Sequence, residues 1–172
     1  MVRKPNSMYR EIRGHAYTRK EYMGGVPDPR ISRFDFGKQD GPWEVEVSLV
    51  VNESGQIRST ALEAARITAT RYISKMAGNA YYIKIRLYPH QVLRENKVAT
   101  GAGADRISDG MRLAFGVPIG TAARTWPGTK VMSIRTTAAN RGHAQEAIRK
   151  AGSKLASPSR ILVEPVRLKK RS

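Results

Sequence analysis

The chain has 172 residues, with 31 Lys and Arg against 14 Asp and Glu, a formal net charge of +17. It has no cysteine, which excludes disulfides, thiolate metal sites and thiol nucleophiles, and its three histidines lie too far apart to form a ligand set. A hydrophobic fraction of 40% supports one folded domain, and the charge excess calls for a polyanionic partner.

The excess is spread along the chain. Residues 41–60 hold one cation and three acids, whereas residues 141–172 hold nine cations and two acids. A membrane-surface protein would concentrate its cations on one amphipathic helix. No apolar run nears the ~20 residues of a membrane span, and no apolar stretch follows the basic start at Arg3-Lys4. Nucleic acid is therefore the expected partner, a membrane is not, and a cytoplasmic location is expected.

Residues 1–42 are expected to be an extended, irregular segment, broken by Pro5, Gly14, Gly24-Gly25, Pro27, Pro29, Gly37 and Gly41-Pro42. Cations alternate with rings in it: Arg3, Lys4, Tyr9, Arg10, Arg13, His15, Tyr17, Arg19, Lys20 and Tyr22, with Arg30 and Arg33 further on. A cation for phosphates beside a ring for sugars or bases suits RNA, whereas a merely solvated tail has little use for rings.

Residues 43–166 are expected to form a single domain. Trp43 to Val51 alternates apolar and polar residues as a half-buried strand does. Ser59 to Ala77 has helical spacing, with Leu62, Ala65, Ala69, Tyr72, Ile73 and Met76 as its apolar stripe. Ser59 or Thr60 is placed to cap it, with Glu63 completing a capping box, and Gly78 supplies a stop. Tyr81 to Tyr88 alternates again, setting Tyr82, Lys84, Arg86 and Tyr88 on a face suited to RNA. Leu113 to Val117, Ala122 to Trp126 and Thr129 to Thr136 read as short strands, contributing Arg124 and Arg135 as further rRNA candidates. Asn140 to Leu155 reads as a second helix and Ile161 to Val166 as a last strand, before a basic tail at 167–172. This order predicts an α+β fold, a two-layer sandwich of a mostly antiparallel sheet with two helices.

The stretch from Thr100 to Gly110 is a glycine-rich loop, the centre of a flexible segment at 98–112. It lacks the third glycine of a dinucleotide fingerprint, since Arg106 stands there, and it has no Gly-Lys-Ser/Thr. Small residues flanked by Arg94, Lys97, Arg106 and Arg112 fit close approach to a nucleic acid better than a phosphate cradle in an enzyme. Asp105 and Asp109 read as local partners of arginine rather than a metal or acid–base pair, and His90 has no nucleophile near it in sequence. No catalytic residue, metal or cofactor is expected.

Several words of sequence carry a resemblance. Gly25-Val26-Pro27-Asp28, Phe34-Asp35-Phe36-Gly37, Leu62-Glu63-Ala64-Ala65-Arg66 and Ile85-Arg86-Leu87-Tyr88-Pro89-His90 come first. Ala102-Gly103-Ala104-Asp105-Arg106, Gly110-Met111-Arg112, Ala114-Phe115-Gly116 and Met132-Ser133-Ile134-Arg135-Thr136 follow in order. The chain thereby resembles the universal large-subunit ribosomal protein sixteen family, in its archaeal and eukaryotic ten-e branch. The resemblance implies a hammerhead-like α+β fold seated on large-subunit rRNA, near the cleft where the acceptor arms of A- and P-site tRNAs pass. It implies that Arg3, Arg10, Arg13 and Tyr17 belong to an rRNA-bound tail. It also implies that the loop of Ala102 to Arg112, with Lys97, Gly103, Asp105 and Arg106, points toward the peptidyl transferase centre. The implied partners are large-subunit rRNA (23S type, with the 5S region as a candidate neighbour), tRNA and neighbouring ribosomal proteins. The bacterial branch has a shorter, lysine-rich loop, so its contacts do not transfer. Eukaryotic relatives carry cysteines and a longer C-terminus, so their absence here favours an archaeal source. The alternative to a ribosomal constituent is a free-standing RNA-binding or assembly factor.

Overall fold

The fold was obtained as a computed structural model, which describes residues 4–12, 14–16 and 19–166. Arg3, Arg13, Tyr17 and the basic tail at 167–172 lie outside the described residues.

The α+β expectation holds, and the strands divide into two antiparallel sheets rather than lying in one. The larger sheet runs β1 (Asp35–Gly37), β4 (Tyr81–Ile85), β7 (Lys130–Thr136), β2 (Val45–Val51) and β8 (Ser159–Pro165) in that spatial order. The smaller sheet runs β3 (Gly55–Arg58), β6 (Val117–Thr125) and β5 (Gln91–Glu95). Helix α1 (Ser59–Ala77) lies against β4 and against β3 and β6, so it touches both sheets. Helix α2 (Arg141–Gly152) covers β2, β7 and β8 and packs beside α1.

Period-two alternation places the core. Val47, Ile83 and Ile134 are register partners across three strands, and all three are fully buried. Leu62, Ala65, Ala69 and Ile73 of α1, and Ala144, Ala147, Ile148 and Ala151 of α2, close the same core. Burying one large aliphatic side chain of this kind is worth roughly 1.5–3 kcal/mol. The alanines let both helices seat closely on the sheet. The expected α1 stripe is narrower than its spacing suggested: Tyr72 is half-buried at the core edge and Met76 is exposed.

Three local expectations change. The helix begins at Ser59 without a side-chain cap, and Glu63 instead accepts two hydrogen bonds from the guanidinium of Arg66, at 2.9 and 2.5 Å. A two-pronged charged bond to Arg66 outcompetes the neutral bond to a backbone N–H. Leu113 to Gly116 is not a strand, and Gln91–Glu95 is one. The strand read at Ala122 starts earlier, so β5 and β6 form a hairpin whose 21-residue connection is the glycine-rich segment 96–116.

The N-terminal segment is tied to the body. Short 3-10 turns at Asn6–Tyr9 and Lys20–Met23 bury Tyr9 and Met23, and Ile31 enters the main core. Gly55 makes room for the first turn. A Cβ there would stand 3.1 Å from the Tyr9 carbonyl oxygen and 2.7 Å from the Ser157 hydroxyl.

Candidate nucleic-acid interface

Basic side chains fall into two groups, those that already hold a partner within the fold and those left to solvent. In the N-terminal segment, Lys4 sits 2.8 Å from the Glu95 carboxylate, and that bond raises its pKa. Arg10 donates from Nε to the Ala156 carbonyl at 2.9 Å, and Arg124 donates to the Gly14 carbonyl. Arg58 lies over the Tyr9 ring at 4.8 Å. These contacts hold the segment to both ends of the body. Arg19 approaches Glu21 at 3.5 Å with both side chains exposed, a pair worth little in water. His15, Lys20, Arg30 and Arg33 are exposed and have no ion pair among the described residues.

The face of the larger sheet turned away from the two helices is a charged lattice built by register. One row runs Glu164, Glu46, Arg135, Tyr82 across β8, β2, β7 and β4. The next runs Leu162, Ser48, Ser133, Lys84, Asp35. Glu46 is 8% exposed, and it accepts from Arg86 at 2.5 Å and from Arg135 at 2.8 Å. Burial pushes its carboxyl up, but the hydrogen bond from Arg135 and the charge and bond of Arg86 outweigh that and hold it below the ordinary value. Tyr82 is pushed up to about 12 by burial and by its hydrogen bond to Asp35. Lys84 is 3.7 Å from the same carboxylate. Lys84, Arg86 and Arg135, read from sequence as RNA-facing, thus have internal counterions. Sequence reading missed Glu46. Its alternation in WEVEV put it on this face, but the strand register that aims two arginines at it is a long-range property.

Glu46→Gln is expected to cost about 2 kcal/mol at neutral pH, less than the ~3–5 of a fully buried pair because both arginines stay about one-third exposed. The folded pKa is depressed, so this stability is present above the ordinary carboxylate value of 4.5 and is lost as pH falls through the folded value. Urea unfolding of both proteins at neutral pH and near pH 3 checks it. The gap between them should shrink in acid, and an unchanged gap would mean the ion network contributes nothing.

The 96–116 connection is a finger with its own hydrogen bonds. The Asn96 amide donates to the Gly110 carbonyl at 3.1 Å, and Ala99 N–H donates to the Ser108 hydroxyl at 3.0 Å, tying its two sides together. A 3-10 turn at Ala104–Arg106, entered through Gly103, shapes the tip. The base is locked by Gly116, where a Cβ would stand 2.6 Å from the Glu95 carbonyl carbon, and by Arg94 over the Phe115 ring at 4.0 Å. Lys97, Ala102, Gly103, Asp105, Arg106 and Arg112 are all exposed, and none of the charged ones has an ion pair among the described residues. Ile107, Met111 and Leu113 are 78–81% exposed. Leu113 holds φ +53, which for a non-glycine residue costs about 1–3 kcal/mol. Sequence reading stressed the small residues here and missed this apolar set.

Comparison with known proteins decides the lineage. Residues 12–162 match the family described as Ribosomal protein L16p/L10e. The large ribosomal subunit protein uL16 of Methanocella arvoryzae is 56% identical over 165 residues, covering 95% of this chain and 96% of that one. Its counterpart in Staphylothermus marinus is 51% identical over 168 residues, covering 97% of each, and that of Archaeoglobus fulgidus is 48% identical over 95% of this chain and 94% of that one. The chain belongs to the ribosomal protein L16p/L10e family. The resemblance read from its sequence words is thereby upheld.

Membership in L16p/L10e makes the chain a structural protein of the ribosome and not an enzyme. His90 is exposed at the end of a ring ladder, 4.6 Å from Tyr88, which is itself 5.5 Å from Phe34. Asp105 and Asp109 join no group of metal-binding side chains among the described residues. Among those residues no helix is long and apolar enough to cross a membrane.

Proposed function

We propose that this L16p/L10e chain is a constituent of the large ribosomal subunit in the cytoplasm, bound to large-subunit rRNA and directing its finger toward tRNA. The observation that carries the reading is the finger: a hairpin extension, hydrogen-bonded within itself, with Lys97, Arg106 and Arg112 unpaired among the described residues. Such a tip has nothing to do in a free monomer. Its cations suit phosphates, and its exposed Ile107, Met111 and Leu113 suit the faces of bases or riboses.

The N-terminal segment supplies the second surface, through His15, Lys20, Arg30 and Arg33, with Arg19 only weakly held by Glu21. Phosphate contacts position such a protein, and the shape of folded rRNA sets its site. Neighbouring ribosomal proteins and the 5S region are further partners in this reading. The paired cations Lys4, Lys84, Arg86 and Arg135 contribute positive potential and scaffold the surface, and Arg10 and Arg124 position the N-terminal segment.

Sedimentation of cell extract at moderate salt tests the assembly. The chain should travel with large subunits. Recovery in the soluble fraction, with equal affinity for unrelated RNAs, would favour a free-standing RNA-binding or assembly factor instead.

A further inference from the structure

Where the N-terminal segment crosses the end of α2, a cavity of about 390 Å³ opens between Arg10 and the turn joining α2 to β8. Its polar wall is Arg10, Arg149, Ser153, Ser157 and Ser159, over an apolar floor that includes Leu49 and Ile161. Arg10 spends only Nε on the Ala156 carbonyl, so its two terminal nitrogens are free to donate, and it has no acidic partner among the described residues. Arg149 spends Nε and one terminal nitrogen on Glu146, whose carboxyl that contact holds down to about 2, and keeps the other nitrogen. Ser153 donates to the Lys150 carbonyl. Ser159 makes no side-chain hydrogen bond among the described residues, and the buried hydroxyl of Ser157 has no partner there either. The recess is thus lined by guanidinium and hydroxyl groups with hydrogen bonds still to give.

We propose that this seam is a binding site for one phosphate group, held by Arg10, Arg149 and Ser159, and that its source in the assembled particle is an rRNA backbone phosphate. The chemistry is that of an oxyanion: planar guanidinium donors and hydroxyls line one small polar recess. The location gives the site a task. Arg10 is delivered by the docked turn Asn6–Tyr9, so a phosphate here bridges the N-terminal segment to the α2–β8 turn and pins the segment to the body. The rRNA source rests on the proposed RNA-binding function; the phosphate site itself does not.

The test has two arms on the full chain. In the first, inorganic phosphate is titrated at constant ionic strength and followed by NMR of the arginine side chains. Saturating shifts at Arg10 and Arg149 are expected, weakened about tenfold in Ser159→Ala and in Arg10→Gln. Ser159→Ala leaves the Arg10–Ala156 bond in place, so its loss of affinity reports the site and not undocking. Shifts that climb without saturating across all arginines, unchanged in Ser159→Ala, would overturn the site. In the second arm, rRNA affinity is measured against salt, and Arg10→Gln should lower the logarithmic slope by about one. A saturable phosphate site with no change in that slope would overturn rRNA as the source and leave a free-phosphate site. Failure of the unaltered chain to bind rRNA would strike the proposed function while the first arm still decides the phosphate site.

Discussion

Affinity for large-subunit rRNA should fall about a thousandfold or more between roughly 50 and 200 mM salt, the loss that follows when six or more phosphates release their counterions. The net charge of +17 permits this, but the distribution of internal pairs says which side chains deliver it. Arg30 and Arg33 are exposed and hold no ion pair among the described residues, so each replaced by Ala should lower the logarithmic salt slope by about one. Lys84, Arg86 and Arg135 already face Asp35 and Glu46, within 3.7, 2.5 and 2.8 Å. Recruiting them to RNA means giving up a counterion, so Lys84→Ala should change the slope by much less than one. Filter binding over a salt series measures all of these. A slope that drops with Lys84→Ala and not with Arg30→Ala would reverse the assignment, placing RNA on the sheet face.

That ranking marks where sequence reading stops. Alternation in Val45–Val51 and Tyr81–Ile85 told which residues enter the core, because period two is a local property of the chain. The helical spacing of Ser59 to Ala77 likewise gave the limits of α1 to the residue. Pairing is not local. Nothing near Arg135 in sequence announces Glu46, 89 residues away, or that Lys4 meets Glu95. A cation that looks free in the chain is therefore free only after the register is known. The same limit split the expected single sheet. Gln91–Glu95 has no strong alternation, and it becomes a strand only because β6 offers an edge to it. The finger was legible as a finger for a different reason: its glycines and its lack of period are local signals of a connection, though its internal bonds and its exposed Ile107, Met111 and Leu113 are not.

Deleting Ala102 to Asp109 from the finger should leave the fold intact and disable its task. The removed residues contribute no member of the hydrophobic core, and their one large apolar side chain, Ile107, is 79% exposed. The base stays closed without them, because Gly116 against Glu95 and Arg94 over Phe115 lie outside the deletion. The bond from Ala99 to Ser108 is lost, at about 1 kcal/mol for a half-buried neutral hydrogen bond. Shortening a flexible connection returns a few tenths of that through loop entropy, about 0.6 kcal/mol for each halving. The melting temperature should therefore move by no more than a few degrees, roughly what 1 kcal/mol produces in a domain of this size. Reconstituted large subunits carrying the shortened chain should still assemble, since the N-terminal segment is untouched, yet bind tRNA about tenfold more weakly, the cost of losing one charge-assisted contact at Arg106. Thermal unfolding and tRNA binding to the reconstituted particles separate the two effects. Unfolding many degrees lower would make the finger a structural element of the domain. An unshifted melting temperature with unchanged tRNA binding would leave it folded and idle, and the proposal that it points toward tRNA would go with it.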